Sequence, residues 1–96
     1  MKESDCTNRP TYSRILSVRR AAIPGYSLAY ILYRTELKSG SASYSVTVTI
    51  SSGTETTTAS AADISRSRKR AEEIFNAAAD GKVTPCALAD VLEELL

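Results

Sequence analysis

The side chains of this sequence that could carry out chemistry are hydroxyls, carboxylates, basic groups and two thiols, and they form no catalytic motif. The chain has no histidine, the commonest general base and the commonest metal ligand. A serine or threonine nucleophile would therefore need a lysine or a carboxylate as its base, and no motif places one. The many serines and threonines are better explained as the solvent-facing side of a sheet. We predict a protein that is not an enzyme and that uses no cofactor.

Metal and thiol chemistry are also poorly supported by the spacing of the residues. The aspartates and glutamates of the last third of the chain lack the close loop spacing of a calcium site. Cys6 and Cys86 lie near opposite ends of the chain, so they form neither a disulfide framework nor a metal-binding pair. Cys86 follows Thr84-Pro85 at an expected helix start. There we expect it to be a buried or half-buried packing residue rather than a reactive thiol.

A cluster of cations, called the basic cluster below, is the one charge feature that opposes local electrostatics. It comprises Arg66, Arg68, Lys69 and Arg70. Cations in the first turn of a helix oppose the helix dipole by about 0.3–1 kcal/mol at an exposed position. In one interpretation, these side chains and the helix N-terminus contact phosphate, as in nucleic acid, or another anion. In the other, Arg68 and Lys69 pair with Glu72 and Glu73 one turn on. The net charge of +1 and the lack of an aromatic stacking motif favour this second interpretation.

Three stretches with the composition of strands must position these side chains. The clearest is Tyr44–Ile50, in which apolar residues alternate with serine and threonine, as in a strand with one dry face. Tyr26–Leu37 is rich in tyrosine, leucine and isoleucine, and Glu55–Ala62 is rich in threonine and alanine. Ser39-Gly40 and Ser52-Gly53 separate the stretches and put glycine where a tight turn tolerates positive φ. The pattern predicts a three-stranded antiparallel meander with Tyr44–Ile50 in the middle.

The register of the first two predicted strands depends on the length of the turn between them. A two-residue loop at Ser39-Gly40 sets Tyr33 opposite Val46 on the dry face. A loop one residue longer would instead set Arg34 opposite Val46 and bury an unpaired guanidinium, which is costly. The register with the shorter loop is therefore favoured.

The favoured register leaves three large side chains on the polar face of the sheet, namely Leu28, Tyr30 and Leu32. In the favoured interpretation the N-terminal segment, with Ile15, Leu16 and Val18, folds back and covers them. In the other, they form an exposed stripe used for self-association or for a protein partner, and this stripe is the candidate interaction surface. On the third strand the small residues Ala59 and Ala61 face the core, which would let helices approach closely.

Two helices follow the predicted strands. The first begins with Ser65 as its N-cap and ends at Asp80-Gly81, with the glycine as a left-handed C-terminal residue. The second begins at Thr84-Pro85 and runs to the chain end. Residues 12–23 have the apolar spacing of a short helix, with an extra strand as the alternative. The prediction is an α+β fold in which the meander packs against two C-terminal helices. Residues 1–11 are expected to be a mobile tail and residues 12–96 one domain.

The C-terminal third carries a resemblance through Asp63-Ile64-Ser65, Gly81–Pro85 and Leu88–Leu96. These segments resemble a small uncharacterised protein family, a domain of unknown function of clostridia and related Firmicutes. The sequence departs from the family pattern at Tyr44, which is followed by serine rather than glycine. The resemblance implies a bacterial cytoplasmic protein with the family's fold, and it brings no activity and no site residues.

The leading functional prediction is a small non-enzymatic protein-interaction domain, with a homodimer as one form. Its partner is then an unknown protein or a second copy of the chain. The alternative is a nucleic-acid or anion-binding domain that uses the basic cluster together with Arg19 and Arg20. No signal sequence opens the chain and no apolar run reaches the length of a membrane span. We therefore expect a soluble cytoplasmic protein without a membrane partner.

Overall fold

The fold is a four-stranded antiparallel sheet followed by two helices. The computed structural model describes residues 12–95 of the 96, and the tail predicted over residues 1–11 lies outside them. The strands are β1 (Tyr12–Ile23), β2 (Tyr26–Glu36), β3 (Ala42–Ser52) and β4 (Glu55–Ser65), in the order β1-β2-β3-β4. The helices are α1 (Arg68–Asp80) and α2 (Leu88–Leu95), with a 3-10 turn over Pro85–Ala87 before α2. The α+β class is confirmed, and the prediction of three strands is wrong.

The additional strand is β1, formed by the residues whose spacing predicted a short helix. Pro24-Gly25 closes a hairpin in which Ile23 pairs with Tyr26, and the glycine has a φ of +84°. A bulge between Ile15 and Ser17 inserts one extra residue into the strand. Ile15 and Val18, which are three residues apart in sequence, therefore share a face of the sheet. A short isolated helix is marginal in water, whereas this strand pairs with β2 along its length.

The β2–β3 hairpin has a longer loop than predicted, and this changes the register. The loop is Lys38-Ser39-Gly40, in which Gly40 has a φ of +92°. Leu32 lies opposite Val46, at the position expected for Tyr33. Because a slip of one residue turns every side chain of a strand to the other face, the predicted faces of β2 are wrong.

The β3–β4 hairpin turns one position later than the predicted Ser52-Gly53 turn. This shifts the pairing of β4 with β3 by two residues, so each side chain of β4 stays on its predicted face. Its loop is Gly53-Thr54, and Val48 pairs with Ala59 while Val46 pairs with Ala61. The two alanines are half-buried against the core, as predicted. The glycine of this loop lies outside the left-handed region, so that detail of the turn prediction is wrong.

One side of the sheet, called the core face below, packs against both helices. Tyr30 and Val48 are fully buried there, and Phe75 of α1 is 2% exposed. Full burial of one such side chain contributes about 1.5–3 kcal/mol before entropy is counted. The buried core consists of Leu28, Tyr30, Leu32, Tyr44, Val46, Val48, Ile64, Ala71, Ile74, Phe75, Ala78, Ala79, Val83, Leu88 and Leu92.

The ends of α1 are set by residues close to the predicted ones. Ser67 is the N-cap, and its Oγ accepts a hydrogen bond from the N–H of Arg70 at 3.3 Å. The predicted cap Ser65 instead accepts from the N–H of Ser67 at 3.0 Å. After the helix, Gly81 is right-handed and Lys82 has a φ of +53°, so the left-handed residue comes one position later than predicted. Within residues 12–95, no helix is long and apolar enough to cross a membrane.

Candidate functional site

The predicted interaction stripe lies in the core. Leu28 is 2% exposed, and Tyr30 and Leu32 are completely buried. The hydroxyl of Tyr30 donates to the main-chain oxygen of Val83 at 2.9 Å. Burial raises the pKa of Tyr30, and the positive charge of Arg19 partly opposes this. The expectation that these three residues form an exposed surface is therefore wrong, because the true register turns them towards the helices. The favoured interpretation, that the N-terminal segment covers them, is also wrong, since Ile15 and Val18 lie on the other face of the sheet.

The opposite side of the sheet, called the open face below, carries four large apolar side chains. They are Ile15, Val18, Ile31 and Tyr33, called the apolar quartet below. Ile15 pairs with Tyr33 and Val18 pairs with Ile31, and the bulge in β1 turns both β1 residues to this side. Ile15 is 55% exposed and Val18 is 46% exposed, while the two β2 residues are half-buried. Both described helices lie on the core face, so no described element covers the quartet.

The β3–β4 half of the open face carries hydroxyl groups rather than apolar groups. Thr47 and Ser60 share a hydrogen bond of 3.0 Å between their side-chain oxygens. Thr49 and Thr58 share one of 3.1 Å. Because each hydroxyl already has a partner across the strands, a protein that covers this half leaves fewer unsatisfied polar groups. The open face thus carries the apolar quartet on β1 and β2 and hydrogen-bonded hydroxyl pairs on β3 and β4.

The adjacent arginines of β1 point to opposite faces and have different roles. Arg19 lies on the core side, 2.8 Å from a carboxylate oxygen of Asp80 and 3.2 Å from Oδ1 of Asn76, so it joins β1 to α1. Arg20 lies at the edge of a depression of about 230 Å³ over the small side chain of Ala29. Arg20 makes no ion pair with any residue in the described part of the chain. Only Arg20 of the two is therefore open to a partner.

Most of the basic cluster is paired with nearby acceptors. Arg68 lies 3.1 Å from Glu72, which confirms one predicted ion pair. Glu73, the predicted partner of Lys69, lies 3.5 Å from Arg70 instead. Arg70 also donates to a main-chain oxygen in the last turn of α2, and Lys69 has no ion pair with the residues the structure describes. The pairing leaves little uncompensated positive charge here for a phosphate.

A polar junction at the end of β4 was not evident from the sequence. Asp63 has a φ of +54°, in a bulge where β4 leaves its regular pairing with β3. Its carboxylate accepts from Nε of Arg66 and from the hydroxyl of Ser43, both at 2.8 Å, and its N–H donates to Oγ of Ser45 at 3.3 Å. The Arg66 hydrogen bond, followed by that of Ser43, lowers the pKa of Asp63. The signal in the sequence that could have indicated this junction is Asp63 at the end of the third predicted strand, together with Ser43 and Ser45 at alternate positions of the neighbouring strand.

Cys86 is a free, exposed thiol, so its predicted place in the core is wrong. The neighbouring Pro85 takes the buried position of the 3-10 turn, which leaves Cys86 pointing outward. Among residues 12–95, no three histidine, cysteine, aspartate or glutamate side chains come together in a way that could hold a metal ion.

The sequence match to known families covers residues 16–96, from within β1 to the chain end. The chain belongs to DUF6514, a family of unknown function. All of β2, β3, β4, α1 and α2 thus lie in the DUF6514 part of the chain, which also contains three members of the apolar quartet. The search of curated proteins and the search of solved structures each found no match.

Proposed function

We propose that this DUF6514 chain is a small non-enzymatic protein-interaction domain that binds a protein partner through the apolar quartet of its open face. The observation that carries the proposal is the exposure of Ile15 and Val18, at 55% and 46%, next to Ile31 and Tyr33. Contiguous exposed apolar groups, unlike single ones, mark interaction sites on soluble proteins. The resemblance to clostridial proteins supports the bacterial cytoplasm as the setting of this proposal.

The geometry of the sheet favours binding because the quartet is held on paired strands rather than on loops. Ile15 and Val18 are fixed by the pairing of β1 with β2, so a partner would not have to order a mobile segment. Covering the exposed half of each aliphatic side chain would contribute about 1 kcal/mol. The hydroxyl pairs beside the quartet form a polar border, as is usual at the rim of an interface.

Nucleic-acid or anion binding has weaker support. Arg66, Arg68 and Arg70 each pair with a carboxylate, and only Lys69 has no ion pair with a described residue. A phosphate would have to compete with these carboxylates for the arginines. The interaction-domain function is therefore the better supported of the two.

The test compares two variants that remove exposed apolar groups from different places. The double variant Ile15→Ser, Val18→Ser alters the quartet, and Tyr26→Ser removes a side chain of similar exposure (47%) from the hairpin end of β2. Proteins captured from cytosol by the wild type are quantified by mass spectrometry for each variant. We expect a partner that is retained by Tyr26→Ser and lost by the double variant. Equal capture by both variants, or capture of nothing by the wild type, would count against the proposal.

A further inference from the structure

The two edges of the sheet differ in how they are protected against pairing with another strand. Natural proteins protect an edge strand with charges, proline, bulges or inward-pointing charged side chains. The β1 edge has these features. It carries Arg14, Arg19 and Arg20, and Arg19 points inward to Asp80. The bulge at Ile15 further interrupts its regular ladder. The β1 edge is therefore a poor template for an added strand.

The β4 edge has none of this protection over residues 56–62, called the β4 edge segment below. The segment reads TTTASAA and contains no charge and no proline. Its pairing with β3 is regular from Glu55 to Ala61, and the bulge comes only after Ala61. β4 is the last strand in the order of the sheet, so no described strand pairs with its outer side. A regular, uncharged edge of this length is a template for strand addition.

We propose that the β4 edge segment pairs with the β4 edge segment of a second copy of this chain. The pairing is antiparallel about a two-fold axis and produces a continuous sheet of eight strands. Self-pairing is favoured because the segment has no charges, so two copies can align over its whole length without like charges facing each other. Just beyond each end of the paired segments, Glu55 approaches the bulge that holds Asp63 of the second copy, and the carboxylate of Asp63 already pairs with Arg66.

The hairpin geometry identifies the backbone groups that would form the new ladder. Ser52 and Glu55 close the two-residue loop and exchange hydrogen bonds across β3 and β4. Backbone direction alternates along a strand, so Glu55, Thr57, Ala59 and Ala61 face β3 and the residues between them direct their N–H and C=O outward. In the regular part of the ladder the outward residues are Thr56, Thr58 and Ser60. When the two edge segments cover each other fully, Thr58 of one copy lies opposite Ser60 of the second copy.

The 3-10 turn and α2, which pack on the core face next to β4, enlarge the proposed contact. A single pair of strands buries less than the approximately 1,200–2,000 Å² of a stable interface. The 3-10 turn and α2 both contact β4 on the core face. Ala87, Val91 and Leu95 of these elements are only half-buried in one copy. In the dimer the second copy lies alongside them and extends the contact beyond the strands.

This inference does not rest on the proposed function. A two-fold axis perpendicular to the sheet leaves the open faces of both copies on the same side and uncovered. The apolar quartet lies on β1 and β2, at the far side of each sheet from the β4 edge. The dimer and the open-face partner can therefore be tested separately.

The experiment adds the same two charges to neighbouring strands. Thr58→Lys, Ser60→Lys places lysines directly opposite each other across the proposed dimer. Thr49→Lys, Thr47→Lys is the matched control, because these residues pair with Thr58 and Ser60 on the same face one strand further in. Sedimentation over a range of concentrations measures dimer dissociation. We expect a wild-type dimer whose dissociation constant rises at least about tenfold in the edge variant and stays nearly constant in the control.

Three outcomes would overturn the proposal. In the first, the wild type stays monomeric at every concentration. In the second, both variants weaken the dimer equally, which indicates face-to-face pairing. In the third, neither variant weakens the dimer. Amide hydrogen exchange of the wild type gives a second readout that needs no variant. The outward amides of the β4 edge segment should become more protected as concentration rises, whereas outward amides of β1 should not. Protection that is independent of concentration, or that rises only on β1, would also overturn the proposal.

Discussion

At the scale of single residues, Tyr30 shows how one side chain joins the sheet to the helical half. Its ring is fully buried on the core face, and its hydroxyl donates to the carbonyl of Val83, which follows α1. Val83 is itself buried, so its carbonyl depends on this donor. The bond therefore fixes the path of the chain between α1 and the 3-10 turn.

We expect Tyr30→Phe to lower the free energy of unfolding by about 1–3 kcal/mol, because the carbonyl of Val83 loses its partner in a buried place. Chemical denaturation measures the change. Tyr26→Phe is the matched control, since Tyr26 is 47% exposed, and it should change stability by less than about 0.5 kcal/mol. Equal losses in the two variants would contradict the role of the Tyr30 hydroxyl.

We expect the stability of the fold to depend on pH through the carboxylate of Asp63. Arg66 and Ser43 hold the pKa of Asp63 below its ordinary value of 3.8. A pKa lowered in the folded state stabilises the fold above the unfolded-state pKa, and this contribution is lost as pH falls through the folded-state pKa. We expect Asp63→Asn to be less stable than the wild type at neutral pH, with a difference that shrinks below pH 3.8. Asparagine also tolerates the left-handed backbone, so the variant keeps the bulge.

Unfolding measured between neutral and strongly acidic pH tests this prediction. Asp90→Asn is the control, because Asp90 is exposed and lies away from the junction on α2. A stability difference for Asp63→Asn that stays constant across the range would show that the carboxylate charge contributes nothing.

At the scale of elements, the sequence determines the strands more clearly than their register. The alternation in Tyr44–Ile50 predicts a central strand with its apolar side towards the core, and β3 has this form. The loop between β2 and β3 could not be read in the same way, because Ser39-Gly40 suits loops of two or three residues. The length of that loop decides whether Tyr30 or Tyr33 faces the helices.

The same limit applies to β1 and to the open face. The bulge at Ile15 puts Ile15 and Val18 on one face although they are three residues apart, and nothing local in the sequence marks a bulge there. The sequence predicts an apolar stripe on one face of the sheet, and the open face carries one that no described element covers. It carries Ile31 and Tyr33 rather than Tyr30 because the register differs by one residue.

The two hairpin loops permit an element-scale prediction. Gly40 has a φ of +92°, whereas Gly53 has ordinary backbone angles and open space where a Cβ would lie. We expect Gly40→Ala to lower the free energy of unfolding by about 1–3 kcal/mol through backbone strain. Gly53→Ala should be neutral or slightly stabilising, because alanine restricts the unfolded chain. Thermal and chemical unfolding of both variants check this, and a Gly53→Ala variant as unstable as Gly40→Ala would contradict it.

At the scale of the whole molecule, the fold is asymmetric in two directions. The helices cover one face of the sheet and leave the apolar quartet on the other. Charges and a bulge protect the β1 edge against pairing with another strand, whereas the β4 edge segment has no such protection. We propose that the first asymmetry provides a surface for a protein partner and the second an edge for self-association, and neither proposal requires catalysis or a cofactor.

The central claim is that the open face binds a protein, and site-specific photo-crosslinking in cells tests it most directly. A photoreactive amino acid replaces Val18 on the open face, and the control replaces Ala77, which is exposed on α1. The predicted result is a discrete cross-linked protein from position 18 that is absent from position 77. The same products from both positions, or none from position 18, would contradict the claim.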